Sequence, residues 1–340
     1  MRPLGEFELI ELFTRGMPGG GPDVVVGIGD DAAVLRPPPG QLLVATVDAV
    51  VDGVHFGPGF TPADVGWKAL AVNLSDVAAM GARPLWALVA LGTPRGEDPA
   101  RLAAMGRGLA ACARESGTAV VGGNVTAAQQ LSLTVTVVGS VRPRHVLLRS
   151  GARVGDLLLV SGTLGDAALG LEPGAAPALV RRQRRPVPRL GLGRALAGIA
   201  RAAIDVSDGL VQDLGHLCRA SGVGAVVEVE RLPLSRAGRA AVRGREEPWG
   251  AALSGGEDYE LLLAVPPRRL AAARAAARRA GTPVAVIGRV ERGPGVRVVK
   301  GGGEPVAVRR GGHDHLRPQA APAAGRRPAG RLLGRRRPRA

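Results

Sequence analysis

A chain of 340 residues with 46% hydrophobic content has room for two ordinary domains, and 51 glycines without a triplet period exclude a collagen-like chain. Two distant cysteines, Cys112 and Cys218, argue against a disulfide framework or a thiolate zinc site. Half of the +16 net charge comes from residues 317–340, where eight Arg stand without an acid, and 2% aromatic content leaves few rings for bases, so nucleic-acid binding is not expected. No apolar run is long enough for a membrane span, and Glu6, Glu8 and Glu11 are unlike the basic start of an export signal; a cytoplasmic protein is expected.

Apolar, β-branched segments alternate with helical stretches along the chain. Strands are predicted at 42–47, 85–91 and 131–141, the last with clear period-two alternation, and helices at 67–80 and 99–116. After Gly151 the pattern restarts: strands at 157–160, 203–205 and 225–229, a helix at 210–220, then strand 259–265, an Ala/Arg helix at 268–280 and strand 284–290. This is an α/β (α+β) chain with an N-terminal domain over 1–145, a C-terminal domain over 146–316 and a disordered basic tail over 317–340. The Arg/Pro-rich stretch 180–190 reads as an exposed connection.

Acids cluster in Gly-rich contexts where strands end: Asp30-Asp31 after Gly29, Asp48, Asp205 and Asp208 around Ser207, and Glu257-Asp258 after Gly255-Gly256. Asp76 sits in an otherwise apolar helix, three residues after Asn73 and on the same face. Each motif alone reads equally as a turn, a cap or a hairpin corner. Five acidic spots in a chain with 29 acids against 45 bases point instead to oxygen ligands for a hard cation, and Mg²⁺ binds through a few carboxylates plus substrate phosphates. No GxxxxGK[ST] loop, strict GxGxxG turn, HRD/DFG pair, GxSxG elbow or HExxH motif occurs, which removes the familiar phosphate, acyl-transfer and zinc sites.

The motifs GIGDDAAVL, DAVVDGVHF, KALAVNLSDVAAMGARP, GGN, LLRSGARVGD, IDVSDGLVQDLGH and SGGEDYELL, in this order from Gly5 to about residue 316, resemble the thiamine-monophosphate kinase family. That family belongs to the aminoimidazole ribonucleotide synthetase-like superfamily. The resemblance implies a two-domain fold and a homodimer whose N-terminal sheets pair into a barrel. It also implies ATP and several Mg²⁺ ions in the groove between the halves, and direct transfer from ATP to thiamine monophosphate.

Carried over position by position, the resemblance assigns metal binding to Asp31, Thr46, Val47 (by its carbonyl), Asp48, Asp76, Asn124, Asp205 and Asp208. It assigns ATP binding to Gly123, Asn124, Arg149 and Ser207, with Gly122 and Gly123 forming a turn at the nucleotide. Substrate contacts fall to His55, Glu257 and His313, and no general base is assigned. The chain departs from the family pattern in carrying Asn124 for an Asp, Val47 for a Thr, and His313 and Leu316 for aromatics. Two alternatives stand beside the kinase: a catalytically weakened nucleotide- or thiamine-phosphate-binding homologue, and a related ATP-dependent enzyme with another acceptor.

Overall fold

In the computed structural model, residues 5–308 and Gly312 are described. The chain opens with α1 (Glu6–Thr14) and a small ribbon of β1 (Val24–Val26) and β2 (Val34–Leu35). The alternating segments then become β3 (Leu42–Val51), β4 (Arg83–Thr93), β5 (Ala119–Ala127) and β6 (Ser132–Val141), arranged β3-β6-β4-β5 with only β4 and β5 parallel. Two helices cover one face: α2 (Pro62–Ala79) and α3 (Pro99–Ser116). Helix α2 starts where Thr61 and Asp64 exchange side-chain-to-backbone hydrogen bonds and Pro62 presets the first turn. Helix α3 starts on the Asp98 carboxylate and stops at Gly117, whose φ of +68° suits only glycine well.

Alternation sorts the sheet into two unlike faces. Leu133, Val135 and Val137 of β6 and Ala87, Val89 and Leu91 of β4 join the core under the helices. Cross-strand register puts Val47, Thr136, Leu88 and Gly122 in one row on the opposite face, and Ala49, Thr134, Ala90 and Asn124 in the next. No helix packs there among the described residues, and Leu43, Val47 and Leu88 are exposed.

The second half contributes β7 (Leu157–Ser161), α4 (Asp166–Leu169), α5 (Pro177–Arg184), α6 (Leu190–Leu196), β8 (Ala202–Val206), α7 (Leu210–Ser221) and β9 (Gly224–Glu228). There follow α8 (Arg236–Ala241), α9 (Gly250–Ser254), β10 (Glu260–Val265), α10 (Leu270–Arg279), β11 (Val284–Glu291) and β12 (Gly295–Val299). Its six-stranded sheet runs β12-β9-β11-β7-β10-β8, with β12 and β9 parallel and the other pairs antiparallel. Apolar side chains fill both faces: α7 closes one with Leu210, Leu214 and Leu217, and α6 and α10 close the other with Leu192, Leu196 and Ala273. Ala78 and Ala79 of α2 join that second layer, so α2 is packed between both halves and is buried nearly all round.

Two expectations need correction. The stretch 180–190 is not an exposed connection but a docked strap. Arg182 and Arg189 pair with the fully buried Glu260 of β10, Arg185 donates to Asp64 of α2, and the Trp67 indole donates to the Pro186 carbonyl at 2.9 Å. Five arginines in eleven residues look solvated in sequence, but a buried carboxylate cannot stay ionised without such partners. Nor do Gly122 and Gly123 form a turn: both lie inside β5, next to a register shift against β4. Glycine is needed at 123 because a Cβ there would lie 1.9 Å from the Val89 carbonyl oxygen.

The α2–α3 contact rests on the same device. A Cβ on Gly66 would lie 1.9 Å from the Met105 carbonyl oxygen, and one on Gly108 would lie 1.9 Å from that of Ala63. In an ordinary helix Gly→Ala adds about 1 kcal/mol of stability. Here Gly108→Ala is expected to cost about 2 kcal/mol or more through forced separation of the helices, read by chemical denaturation; a stabilised variant would refute this account of the contact.

Candidate active site

A cleft of about 600 Å³ opens where the two halves meet, lined by Asp48, His55, Asp76, Arg149, Asp205, Ser207, Asp208, Glu257 and Tyr259. Each comes from a position dictated by local structure. Asp48 shares the helix-facing side of β3 with Thr46, whose hydroxyl donates to Asp76 Oδ2 of α2 at 2.5 Å. His55 follows in a turn and accepts the Val51 N–H at Nδ1, so a neutral ring carries its proton on Nε2. Arg149 sits on the connection from β6 to β7.

The turn from β8 to α7 is held by one side chain. Asp213 Oδ2 accepts the N–H groups of Ser207, Asp208 and Gly209 at 3.0, 3.1 and 3.1 Å. Gly209 has φ +125° and lies against Ser254, so no other residue fits the turn. Across the seam, Ser75 of α2 donates to Asp205 Oδ2 at 2.7 Å. On the far wall Glu257 adopts φ +67°, rare for a residue with a side chain, and its N–H donates to the Ser207 carbonyl at 2.7 Å.

Electrostatically the cleft is short of cations. Burial, and then the charge of Asp76, push Asp205 up to about 7; burial, and then Asp208, do the same to Asp213. Burial also raises Asp76, against the Thr46 hydroxyl and Arg149. Burial, followed by the charges of Glu257, Asp205, Asp48 and Asp76, raises Tyr259 well above the usual phenol range, so Tyr259 stays a protonated donor beside the acids. Four carboxylates, of Asp48, Asp76, Asp205 and Asp208, line this cleft and offer hard oxygen ligands that suit a divalent cation. Among the described residues no three His, Cys, Asp or Glu form a ready-made metal cage.

The remaining candidates lie elsewhere. Asp31, Gly123 and Asn124 line a separate pocket of about 920 Å³, together with Asp30, Leu88 and Thr136. Asn124 belongs to the edge strand opposite β3 and faces away from the helices, so three strand spacings, roughly 14 Å, and the sheet itself separate it from Asp48. The Val47 side chain, 57% exposed, points to that open face too. His313 and Leu316 lie outside the described residues, although Gly312 packs against Asp208 and Gln212.

Sequence reasoning missed Lys68, Ser75, Gln183, Asp213 and Tyr259. One signal was available. Lys68 is one of two lysines among 45 strong bases, and it sits in an apolar helix.

Comparison with known proteins now bears on this geometry. Residues 29–141 match the AIR synthase related protein N-terminal domain and residues 153–301 the corresponding C-terminal domain. The chain is 42% identical over 324 residues to thiamine-monophosphate kinase of Salmonella typhimurium, covering 92% of this chain and 98% of that one. Among solved structures, it is similar to thiamine-monophosphate kinase from Stenotrophomonas maltophilia, with TM-score 0.80 and 40% identity over 90% of this chain and 99% of that one. It is also similar to AaThiL complexed with AMPPCP and TMP, with TM-score 0.71 and 33% identity over 90% and 98%. The chain therefore belongs to the AIR synthase related proteins and, within them, to the thiamine-monophosphate kinase family.

Proposed function

We propose that this protein transfers the γ-phosphoryl group of ATP to thiamine monophosphate, giving thiamine diphosphate and ADP. The observation that carries this reading is the acidic cleft between the halves, with Asp48, Asp76, Asp205 and Asp208 gathered opposite Arg149. It stands in a chain about 40% identical to named kinases over nearly its whole length. The phosphate oxygen of the acceptor is already ionised and needs no general base to attack. What the site must overcome is repulsion between two polyanions.

Asp48, Asp76, Asp205 and Asp208, with the Thr46 hydroxyl and the Val47 carbonyl, would hold Mg²⁺. When bound, the metal neutralises phosphate charge. Arg149 offers a charge-assisted donor to a phosphate, and Ser207 lies beside it in the cleft. His55 Nε2–H and Glu257 present a donor and an acceptor to thiamine monophosphate. The transfer itself is in line: the new bond to the acceptor oxygen forms as the bond to the ADP oxygen breaks.

We further infer a cytoplasmic homodimer built on the open sheet face, where Leu43, Val47 and Leu88 are exposed and both sheet edges, β3 and β5, lack a neighbour in the sheet among the described residues. A two-fold axis running along the strands sets β5 of one copy beside β3 of the other. Asn124 is then brought next to the strand that carries Asp48 in the opposite copy.

Purified protein with ATP, Mg²⁺ and thiamine monophosphate is expected to form thiamine diphosphate. Asp76→Ala and Asp208→Ala should each lower turnover about a thousandfold, in the range of losing a preorganised charge-stabilising group, while Asn124→Asp lowers the Mg²⁺ concentration needed for half-maximal rate. Absence of product from both the natural protein and Asn124→Asp would sink the kinase reading.

The acid cluster predicts a pH signature as well. Asp205 titrates near 7 in the fold against 3.8 for the ordinary group, so between these values the folded state binds more protons than the unfolded chain. In chelator, the melting temperature should fall as pH rises from about 5 to 8, less steeply in Asp205→Asn, and Mg²⁺ should restore it at pH 8. A slope unchanged by Asp205→Asn would disprove this assignment.

A further inference from the structure

Lys68 is neither a member of the acid cluster nor an ordinary core residue. It lies on α2 with a side chain only 1% exposed. Its ammonium donates to Glu257 Oε1 at 2.5 Å and to the His55 carbonyl oxygen at 3.0 Å, and stands 5.4 Å from the centre of the Phe60 ring. Glu257 belongs to the loop before β10 and His55 to the turn after β3, so one buried charge joins the two walls of the cleft contributed by different halves of the chain. The other Glu257 oxygen accepts from Gln183 of the docked strap at 3.2 Å. With backbone at φ +67° and both carboxylate oxygens held, Glu257 is fixed in a conformation that its own propensity disfavours.

We propose that Lys68 is a positioning residue for the acceptor half of the site: anchored on the His55 carbonyl, it holds Glu257 in the place that thiamine monophosphate requires. This inference rests on the kinase reading for the identity of the ligand. The chemistry favours lysine over arginine. A compact ammonium fits the buried gap and reaches a carboxylate, a carbonyl and a ring face at once, whereas a planar guanidinium needs a wider, flatter site. Lys68 also offsets the Glu257 charge, so that this wall does not add a further unpaired carboxylate opposite an incoming phosphate.

The test compares Lys68→Met, Glu257→Gln and the double variant by steady-state kinetics and thermal melting. Lys68→Met should raise the KM for thiamine monophosphate about tenfold or more through displacement of Glu257, with the KM for ATP nearly unchanged. The double variant should match Glu257→Gln alone in that KM, because Lys68 acts through Glu257. A folded Lys68→Met with unchanged KM for thiamine monophosphate, or a double variant worse than Glu257→Gln, would overturn the proposal. If Lys68→Met does not fold, the comparison of Glu257→Gln with the double variant decides in the same way. If the natural protein makes no thiamine diphosphate, the kinase reading fails separately. The hold on Glu257 is then read from melting: non-additive shifts support it, and additive shifts refute it.

Discussion

The burial of α2 between two sheets is the constraint on which the rest of the molecule depends. A helix covered on one side only would point its polar residues to water; α2 has almost no such side, and Asp64, Lys68, Asn73 and Ser75 are all buried. A buried polar group without a partner is costly; three of these positions find partners in what packs against them, while Asn73 donates only to the Ala69 carbonyl of its own helix. Asp64 finds Arg185, Lys68 finds Glu257 and the His55 carbonyl, and Ser75 finds Asp205. These partners all belong to the strap, to the second half or to the cleft wall. The packing that stabilises the seam is thus the packing that assembles the site, and the close contacts of Gly66 and Gly108 between α2 and α3 set the depth at which α2 sits.

The cleft is electrostatically incomplete in a way that explains its chemistry. Elsewhere Glu260 receives two arginines and a serine hydroxyl, whereas Asp258, with two backbone N–H donors, is still pushed up to about 8 by burial. Around Asp76 and Asp205 the partners are two hydroxyls and one distant guanidinium, and burial wins. Asp76 and Asp205 lack the cationic partners that Glu260 has, and the proposed Mg²⁺ would fill that deficit. Asp213 braces the turn beside these acids through three backbone N–H groups.

What was legible in the sequence follows from local physics. Period-two runs such as Leu131–Val141 and the capped helix at 99–116 emerged as β6 and α3, whereas of the acids placed at strand ends only Asp208 and Glu257 stand in turns and Asp48 and Asp205 lie inside β3 and β8. Less legible was anything decided by a distant partner. Residues 180–190 read as solvated because their arginines show no carboxylate nearby in sequence; Glu260 is 71 residues beyond Arg189. Gly122-Gly123 read as a turn because glycine has two uses, and only the neighbouring Val89 carbonyl reveals that closeness, not curvature, requires it here.

By itself, then, the sequence determined the alternation of strands and helices, the acid-rich stretches and the family to which they belong, since each depends on residues close together in the chain. Tertiary structure decided which acids share a cleft. It set Asp48 and Asp76 within one wall, brought Asp205 to Ser75 across 130 residues of chain, and put Asn124 on the far side of a sheet. It also turned a lone lysine in an apolar helix into the link between two walls. The reason is physical: hydrophobic periodicity is a property of neighbours, whereas the partner of a buried charge is settled only when two surfaces close over it and water is gone.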